Sequence, residues 1–454
     1  MSYIIDKSDK RKDMQLALPA SRWHCHATLI LAAFQGDEVH IAHSLMHDGQ
    51  HAIIRALTDL NARIFTHDDS IHLESTKPIH AQDISIHIGI DIDNFYLLLA
   101  QYIIRPSRVR FTAEGSIKTI NLTPITHFLP TLGSRLTYVV PKCRSFPVRI
   151  ESSGVLPKRI VIPQDLPEGF VLALLTALPF AEDPVEVDIQ NHPSRASILE
   201  TSLSYLQNFE AKAAETQPWL IAFEPSKLSI PSSPNLPSES ILACFLFALP
   251  LLLGGKANFE GIYPETPLAR DCLGLLEDLG LKIHEKPDSQ EIRVRGERFS
   301  LEGELPSSVH TLAGEKTLPY LCALLGSLAL SGTKLTIEEN LPPLAHEFFN
   351  TIGLELDSSG TLSQKSQNST APMCWNAPSP EWALALATAA CKRKGEGFKL
   401  GNASVITQIW PRYWTLYNSL PNVQSLQKPA EATPKRRRIL TSSIAEIPPE
   451  IERD

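Results

Sequence analysis

Apolar residues in this chain gather into six long runs of similar grammar: ATLILAAFQGDEVHI (27–41), NFYLLLAQYIIRPSRVRFT (94–112), GFVLALLTALPFAEDPVEV (169–187), SILACFLFALPLLLGGKANFEG (240–261), TLPYLCALLGSLALSGTKLTI (317–337) and EWALALATAACKRKGEGFKL (381–400). Each opens on small and aliphatic residues with no wide polar face, which predicts a helix buried on nearly all sides. Each closes past a polar break, with Gly in most copies, on a short stretch that predicts a strand. A second, amphipathic helix follows in most copies, as in QHAIIRALTDLNARI (50–64), ARDCLGLLEDLGLKI (269–283) and LAHEFFNTIGLEL (344–356), each with a Gly or Asn stop before a strand. The unit is strand, buried helix, strand, surface helix, strand.

Helix starts recur roughly 65 to 80 residues apart, longer than the common solenoid periods. The Pro- and Ser-rich stretch EPSKLSIPSSPNLPSES (224–240) divides the six units into three and three. This predicts an α/β (α+β) protein of two lobes, 18–228 and 1–17 plus 229–420, with the first dozen or so residues crossing to the second lobe. Residues 421–454 lack a core pattern and are expected to be largely disordered. Near the end of the second lobe, Trp410, Tyr413, Trp414 and Tyr417 recur at helical spacing, the pattern of an aromatic helix that seals a core.

Composition narrows the picture. Of 454 residues, 43% are hydrophobic and 20% charged, an ordinary globular balance. A net charge of −8 supplies no overall drive toward nucleic acid or an acidic membrane, and suits a dianionic substrate poorly unless basic residues converge locally. The apolar run ILACFLFALPLLLGG is shorter than the ~18 residues a membrane helix needs and contains Pro250, so it reads as a buried helix. The seven cysteines form no CxxC pair, and the opening MSYIIDKSDKRKDMQL has no signal-like apolar stretch. A cytoplasmic protein without membrane attachment is expected. The PKRRR run (434–438) reads as a solvated charge cluster, and nucleic acid is an unlikely partner.

Six such units in two groups of three resemble the 5-enolpyruvylshikimate-3-phosphate (EPSP) synthase family. PASRWHCHATLILAAF (19–34) resembles the family's opening P-G-S-K-S-x-S-x-R and apolar helix. FTAEGSIKTINLTPI (111–125) resembles a second-repeat segment, and VITQIWPRYWTLYNSL (405–420) the closing A-K-S-x-P-x-F-x and helix. The resemblance implies an inside-out α/β barrel in two lobes, buried helices within outer sheets, and a substrate cleft between the lobes. It also implies a carboxyvinyl transfer from phosphoenolpyruvate to shikimate 3-phosphate, with no cofactor. That reaction needs several Arg and Lys to hold two anions, and an acid/base pair.

Here the positions of those groups are altered. The Lys-Ser pair reads Arg22 and Trp23, and the following Arg reads Ala27. The N-A-G-T-x-x-R stretch reads IDIDNFY, so its Arg becomes Tyr96, and the next Arg aligns with Ser116. The S-S-Q of the third repeat reads Pro167, Glu168 and Gly169. In the second lobe the general-base Asp aligns with Thr317, the last-repeat Arg with Glu381 and the last Lys with Gln408. The K-E-T-D-R loop is missing: the chain from Ile337 to Ala345 is short and carries Glu338, Glu339, Pro342 and Pro343. One lost charge-stabilising group costs about 10² to 10³ in rate, and losses of this extent leave no route to ordinary turnover.

Two readings follow. In the first, the chain is a catalytically degenerate member of the fold that binds a small molecule in the interlobe cleft, or a protein partner. In the second it is a carboxyvinyltransferase with a rebuilt site. The candidate ligand-binding residues are Arg22, His24, His26, Lys118, Glu239, Gln408 and Arg412. No metal site is expected: His47 and His51 are four apart, but Asp48 and Gly49 mark a helix start that leaves His47 outside the helix. Cys25, flanked by His24 and His26, is either a structural thiol or an activated nucleophile.

Overall fold

The computed structural model describes residues 3–5, 14–74, 77–79, 83–263, 266–286, 291–296, 299, 312, 317–337, 341–364, 374–392 and 398–419. Glu338, Glu339, the PKRRR run and the C-terminal tail lie outside them.

Strands β1 (Tyr3–Ile5) and β2 (Met14–Ala17) open the chain. Repeat one holds α1 (Arg22–Gln35), β3 (Val39–Ile41), α2 (Asp48–Asp59), β4 (Ile64–His67) and β5 (Ser70–Leu73). Repeat two holds β6 (Asp83–His87), α3 (Ile92–Ile103), β7 (Pro106–Thr112), α4 (Thr123–Phe128), β8 (Ser134–Tyr138) and β9 (Val148–Ser153). Repeat three holds β10 (Arg159–Val161), α5 (Glu168–Ala177), β11 (Val185–Asp188), α6 (Arg195–Asn208), β12 (Ala213–Gln217) and β13 (Leu220–Phe223).

In repeat four, α7 (Ser240–Leu253) leads to β14 (Gly255–Glu260), α8 (Pro267–Asp278), β15 (Leu281–Lys286) and β16 (Glu291–Gly296). Repeat five holds α9 (Leu318–Leu330), β17 (Leu335–Thr336), α10 (Pro343–Thr351), β18 (Leu354–Leu356) and β19 (Thr361–Gln364). The last holds β20 (Cys374–Trp375), α11 (Pro380–Ala390), β21 (Phe398–Leu400), α12 (Ser404–Thr407) and α13 (Tyr413–Ser419).

The described strands form one small sheet per repeat. Where a strand precedes the buried helix it pairs parallel with the strand after it, as in β6 with β7, β10 with β11 and β20 with β21. Two repeats borrow that strand from the other end of the fold. Repeat four takes β2, which pairs parallel with β14, and repeat one takes the segment before α7, where Ser232 O accepts the His40 N–H at 2.7 Å. Strand β1 closes the last sheet against β21.

Two separate apolar cores result, one built on α1, α3 and α5 and the other on α7, α9 and α11. These helices are buried nearly all round because their sequences offer no polar face to solvent. Pro250 sits inside α7, fully enclosed. Strand β16 passes so close to that turn that a methyl group on Gly296 would meet Pro250 O and stand 2.7 Å from Leu251 Cα, so only glycine fits.

The chain crosses between lobes twice, at adjacent points. Leu18 belongs to the second core and Ala20 to the first. On the return, Ile230 and Leu236 still pack against the first core, so the crossing falls after residue 228, at Pro237–Glu239. The reason is the strand lent to repeat one. The two crossings bond to each other: Glu239 N–H donates to Pro19 O and Ser21 N–H to Pro237 O, both at 2.8 Å.

Candidate functional site

The N-termini of α1, α2 and α3 converge beside these crossings. Asn94, in the first turn of α3, donates to Gly49 O at 2.9 Å and so ties α3 to α2. Gly49 lies between two functional groups: a methyl group there would stand 2.6 Å from Asp91 Oδ2 and 2.8 Å from His47 Cε1. Gly169, at the start of α5, is seated against Asp93 and Tyr96 in the same way.

A helix N-terminus attracts an anion. Here each end brings its own carboxylate. Glu239 Oε2 accepts the Arg22 N–H of α1 at 2.9 Å and lies 3.7 Å from the guanidinium Nε. Asp91 Oδ1 accepts the Asp93 N–H at 3.0 Å and caps α3. Glu168 stands in the first turn of α5, held by Ser197 Oγ at 3.0 Å, and Glu381 in the first turn of α11, held by Ser379 Oγ at 2.6 Å. Burial works against the Arg22 charge, yet Glu239, Asp91, Asp93 and Glu381 outweigh it and hold the guanidinium pKa above its ordinary value.

Behind Arg22 lies a group of enclosed polar side chains. His26 is 1% exposed and His47 3%, their rings stacked with centroids 5.4 Å apart. His26 Nδ1 is 4.0 Å from Asp91 Oδ2. Among the described residues, neither His26 nitrogen makes a hydrogen bond of good geometry, although Gln50 is close enough to favour its charged form. His47 Nε2, Gln50 Nε2 and Asn94 Oδ1 likewise lack a well-formed bond. Burial, with the charges of His26, Arg22 and His51, pushes the His47 pKa down to about 2, and burial also lowers that of His26. Both rings are neutral at pH 7. Cys25 is buried and its thiol is pushed up to about 12 by burial and by Glu239, so the structural reading of this cysteine stands and the nucleophile does not.

Of the residues predicted from sequence, the structure gathers Arg22, His26 and Glu239. His24 turns the other way along α1, bonds Ser21 Oγ at 2.8 Å and packs against Trp23 and Tyr205. Lys118 is exposed on the turn Gly115–Thr119, and Gln408 is exposed at the end of α12. Arg412 crosses to the first lobe, pairing with Asp68 at 3.2 Å and Asp69 at 2.8 Å, so its charge is already neutralised. Gln50, Asp91, Asp93 and Asn94 were not anticipated, and His47 was weighed only in a pair with His51 and set aside. The one available signal was the pair of carboxylates in IDIDNFY, where the family places N-A-G-T.

Beside the Arg412 pairs is a cavity of about 310 Å³ lined by Leu18, His43, His51, Asp69 and Trp410. Trp410 is therefore part of its wall rather than of the aromatic helix, which begins only at Tyr413. Pro411 disfavours helical geometry at the residue before it. Tyr413, Trp414 and Tyr417 are core, as their spacing predicts.

A sequence model of the EPSP synthase (3-phosphoshikimate 1-carboxyvinyltransferase) family matches residues 8–312. The chain belongs to the EPSP synthase family. The 3-phosphoshikimate 1-carboxyvinyltransferase of Methanospirillum hungatei is 23% identical over 278 residues, 60% of this chain and 64% of that one. The protein of the same name from Syntrophobacter fumaroxidans is 22% identical over 425 residues, 89% of this chain and 96% of its own. The chain thus spans just under two thirds of the first relative and nearly all of the second. Two EPSP synthase structures from Acinetobacter baumannii share the fold, with TM-scores of 0.72 and 0.75 at 15% and 14% identity. They cover 92% and 94% of this chain, and the matches span 97% and 100% of theirs. No described helix is long and apolar enough to cross a membrane.

Proposed function

We propose that this EPSP synthase family member does not carry out the carboxyvinyl transfer, and binds a neutral or cationic small molecule in its interlobe cleft. The observation that carries this reading is the Glu239 carboxylate on the N-terminus of α1. It occupies the place an anionic ligand needs and takes up the charge of Arg22. Asp91 repeats the arrangement on α3, and Glu168 and Glu381 place further carboxylates in the first turns of α5 and α11. Two anionic substrates would meet carboxylates at each of these ends, and like charges at such range repel.

The names of the relatives favour the other reading, an active 3-phosphoshikimate 1-carboxyvinyltransferase. The two are separated by phosphate release from phosphoenolpyruvate plus shikimate 3-phosphate. The expected result is release at the rate of a protein-free control, with no rise in melting temperature from either anion. Turnover that Arg22→Ala abolishes would establish the transferase.

A further inference from the structure

We propose that His26, His47 and Asp91 form a binding site for one divalent transition-metal ion of the zinc class. This rests on the functional reading above and names the ligand class that the carboxylate-rich cleft takes first.

One ligand atom from each of the three residues lies within 4.8 Å of the others. Three donors on a single ion with bonds of about 2.0–2.1 Å are separated by roughly 3.3 Å, so on loading the ligand atoms draw about 1.5 Å closer at most. The donor chemistry, two imidazoles and a carboxylate, is that of zinc sites with a position left for an exogenous ligand. Both His26 nitrogens and His47 Nε2 are buried without a hydrogen bond of good geometry among the described residues, with Gln50 the near neighbour of His26, and such groups are costly unless something else uses them. Asp91 is oriented by the second oxygen, which accepts the Asp93 N–H at 3.0 Å, an outer contact of the kind that fixes metal ligands.

Two features oppose loading. Arg22 is nearby, but Glu239 pairs with it, and Asp91 and Asp93 add further negative charge. His47 Nδ1 accepts the Gly49 N–H at 3.1 Å, and coordination through either ring nitrogen gives up this bond. One neutral hydrogen bond at the start of α2 is the smaller quantity.

His47 and His51, the pair that sequence spacing brings to mind, are not the site. His51 is exposed on α2 and serves as a control. The test uses the full-length protein, stripped with chelator and titrated with Co²⁺. One ion should bind per chain, with the visible absorption of a four- or five-coordinate cobalt ion. Asp91→Asn keeps the cap on α3, because Asn caps as well as Asp, while it removes the anionic ligand. Its affinity should fall by about 100-fold, and that of His26→Gln similarly. His51→Ala, and His72→Ala in the exposed His40–His72 pair, should change nothing. Circular dichroism at matched temperature checks that each variant is folded. No saturable binding by the native chain, binding unchanged in Asp91→Asn and His26→Gln, or binding lost in His72→Ala would each overturn the proposal. Carboxyvinyl transfer with cobalt binding intact would overturn the functional reading and leave the metal site standing.

Discussion

Taking the metal-free protein from pH 7 to pH 5 is expected to cost it about 2 kcal/mol for His47 alone. Burial holds the folded-state pKa of this ring at about 2, against 6.5 in the unfolded chain. Between those values the unfolded chain binds the proton and the folded one does not. Stability therefore falls as pH falls, beginning near 6.5, and a fully buried group loses about 1.4 kcal/mol per pH unit. His26 on α1, Arg22 and His51 act on the ring together with burial, and all of them disfavour its charged form; Asp91 also lies close to it. His26 shifts in the same direction. His24, lowered to about 4 by burial, adds a smaller amount because its edge meets solvent. Urea midpoints at pH 7, 6 and 5 in chelator measure the effect. His47→Gln should flatten the curve by one proton, and a midpoint independent of pH would show that these rings charge without cost.

Replacing Tyr320 by Ala is expected to destabilise the second lobe by about 3–5 kcal/mol, leaving the first nearly untouched. The side chain is 1% exposed, packs edge-on against Phe245 of α7 with centroids 5.3 Å apart, and donates to Cys272 O of α8 at 3.0 Å. It thus pins α9 to both neighbouring helices of repeat four. Tyr320→Phe keeps the ring and should lose only about 1 kcal/mol, the worth of one hydrogen bond. Because the two cores are separate, the loss should appear as an earlier second-lobe transition rather than a shift of the whole curve. Tryptophan fluorescence reports it: Trp375, Trp382, Trp410 and Trp414 lie in the second lobe, Trp23 and Trp219 in the first. A single coincident transition in the Ala variant would show the lobes to be coupled more tightly than their packing indicates.

Much of the fold was legible because the buried helices carry their environment in their composition. A run such as SILACFLFALPLLL can only be enclosed, and six of them in order define the repeat. The helix start at Asp48 was legible too, and His47 proves to be its cap, accepting from Gly49 N–H. What sequence could not show was the borrowing of strands between repeats. A segment 190 or so residues from β3 supplies its neighbour, and no local period records that (Ser232 O with His40 N–H). The site was illegible for the same reason. His26, His47 and Asp91 come from three different elements, brought together by packing of helix ends, whereas the pair at helical spacing, His47 and His51, joins a buried ring to an exposed one. Glu239 was named as a candidate, but its use as an internal counter-ion and helix cap depends on the second crossing running beside the first.

The lobes also meet through exposed charges: Arg412 with Asp68 and Asp69, and Arg270 with Glu200 at 2.6 Å. Exposed pairs of this kind are worth about 1 kcal/mol or less each, and their reach contracts from about 8 Å at physiological ionic strength to about 3 Å in molar salt. These pairs therefore hold the two lobes to each other less firmly as the surrounding salt rises. In a cell whose ionic strength rises under osmotic stress, that part of the interlobe attachment weakens with no change in any residue of the site.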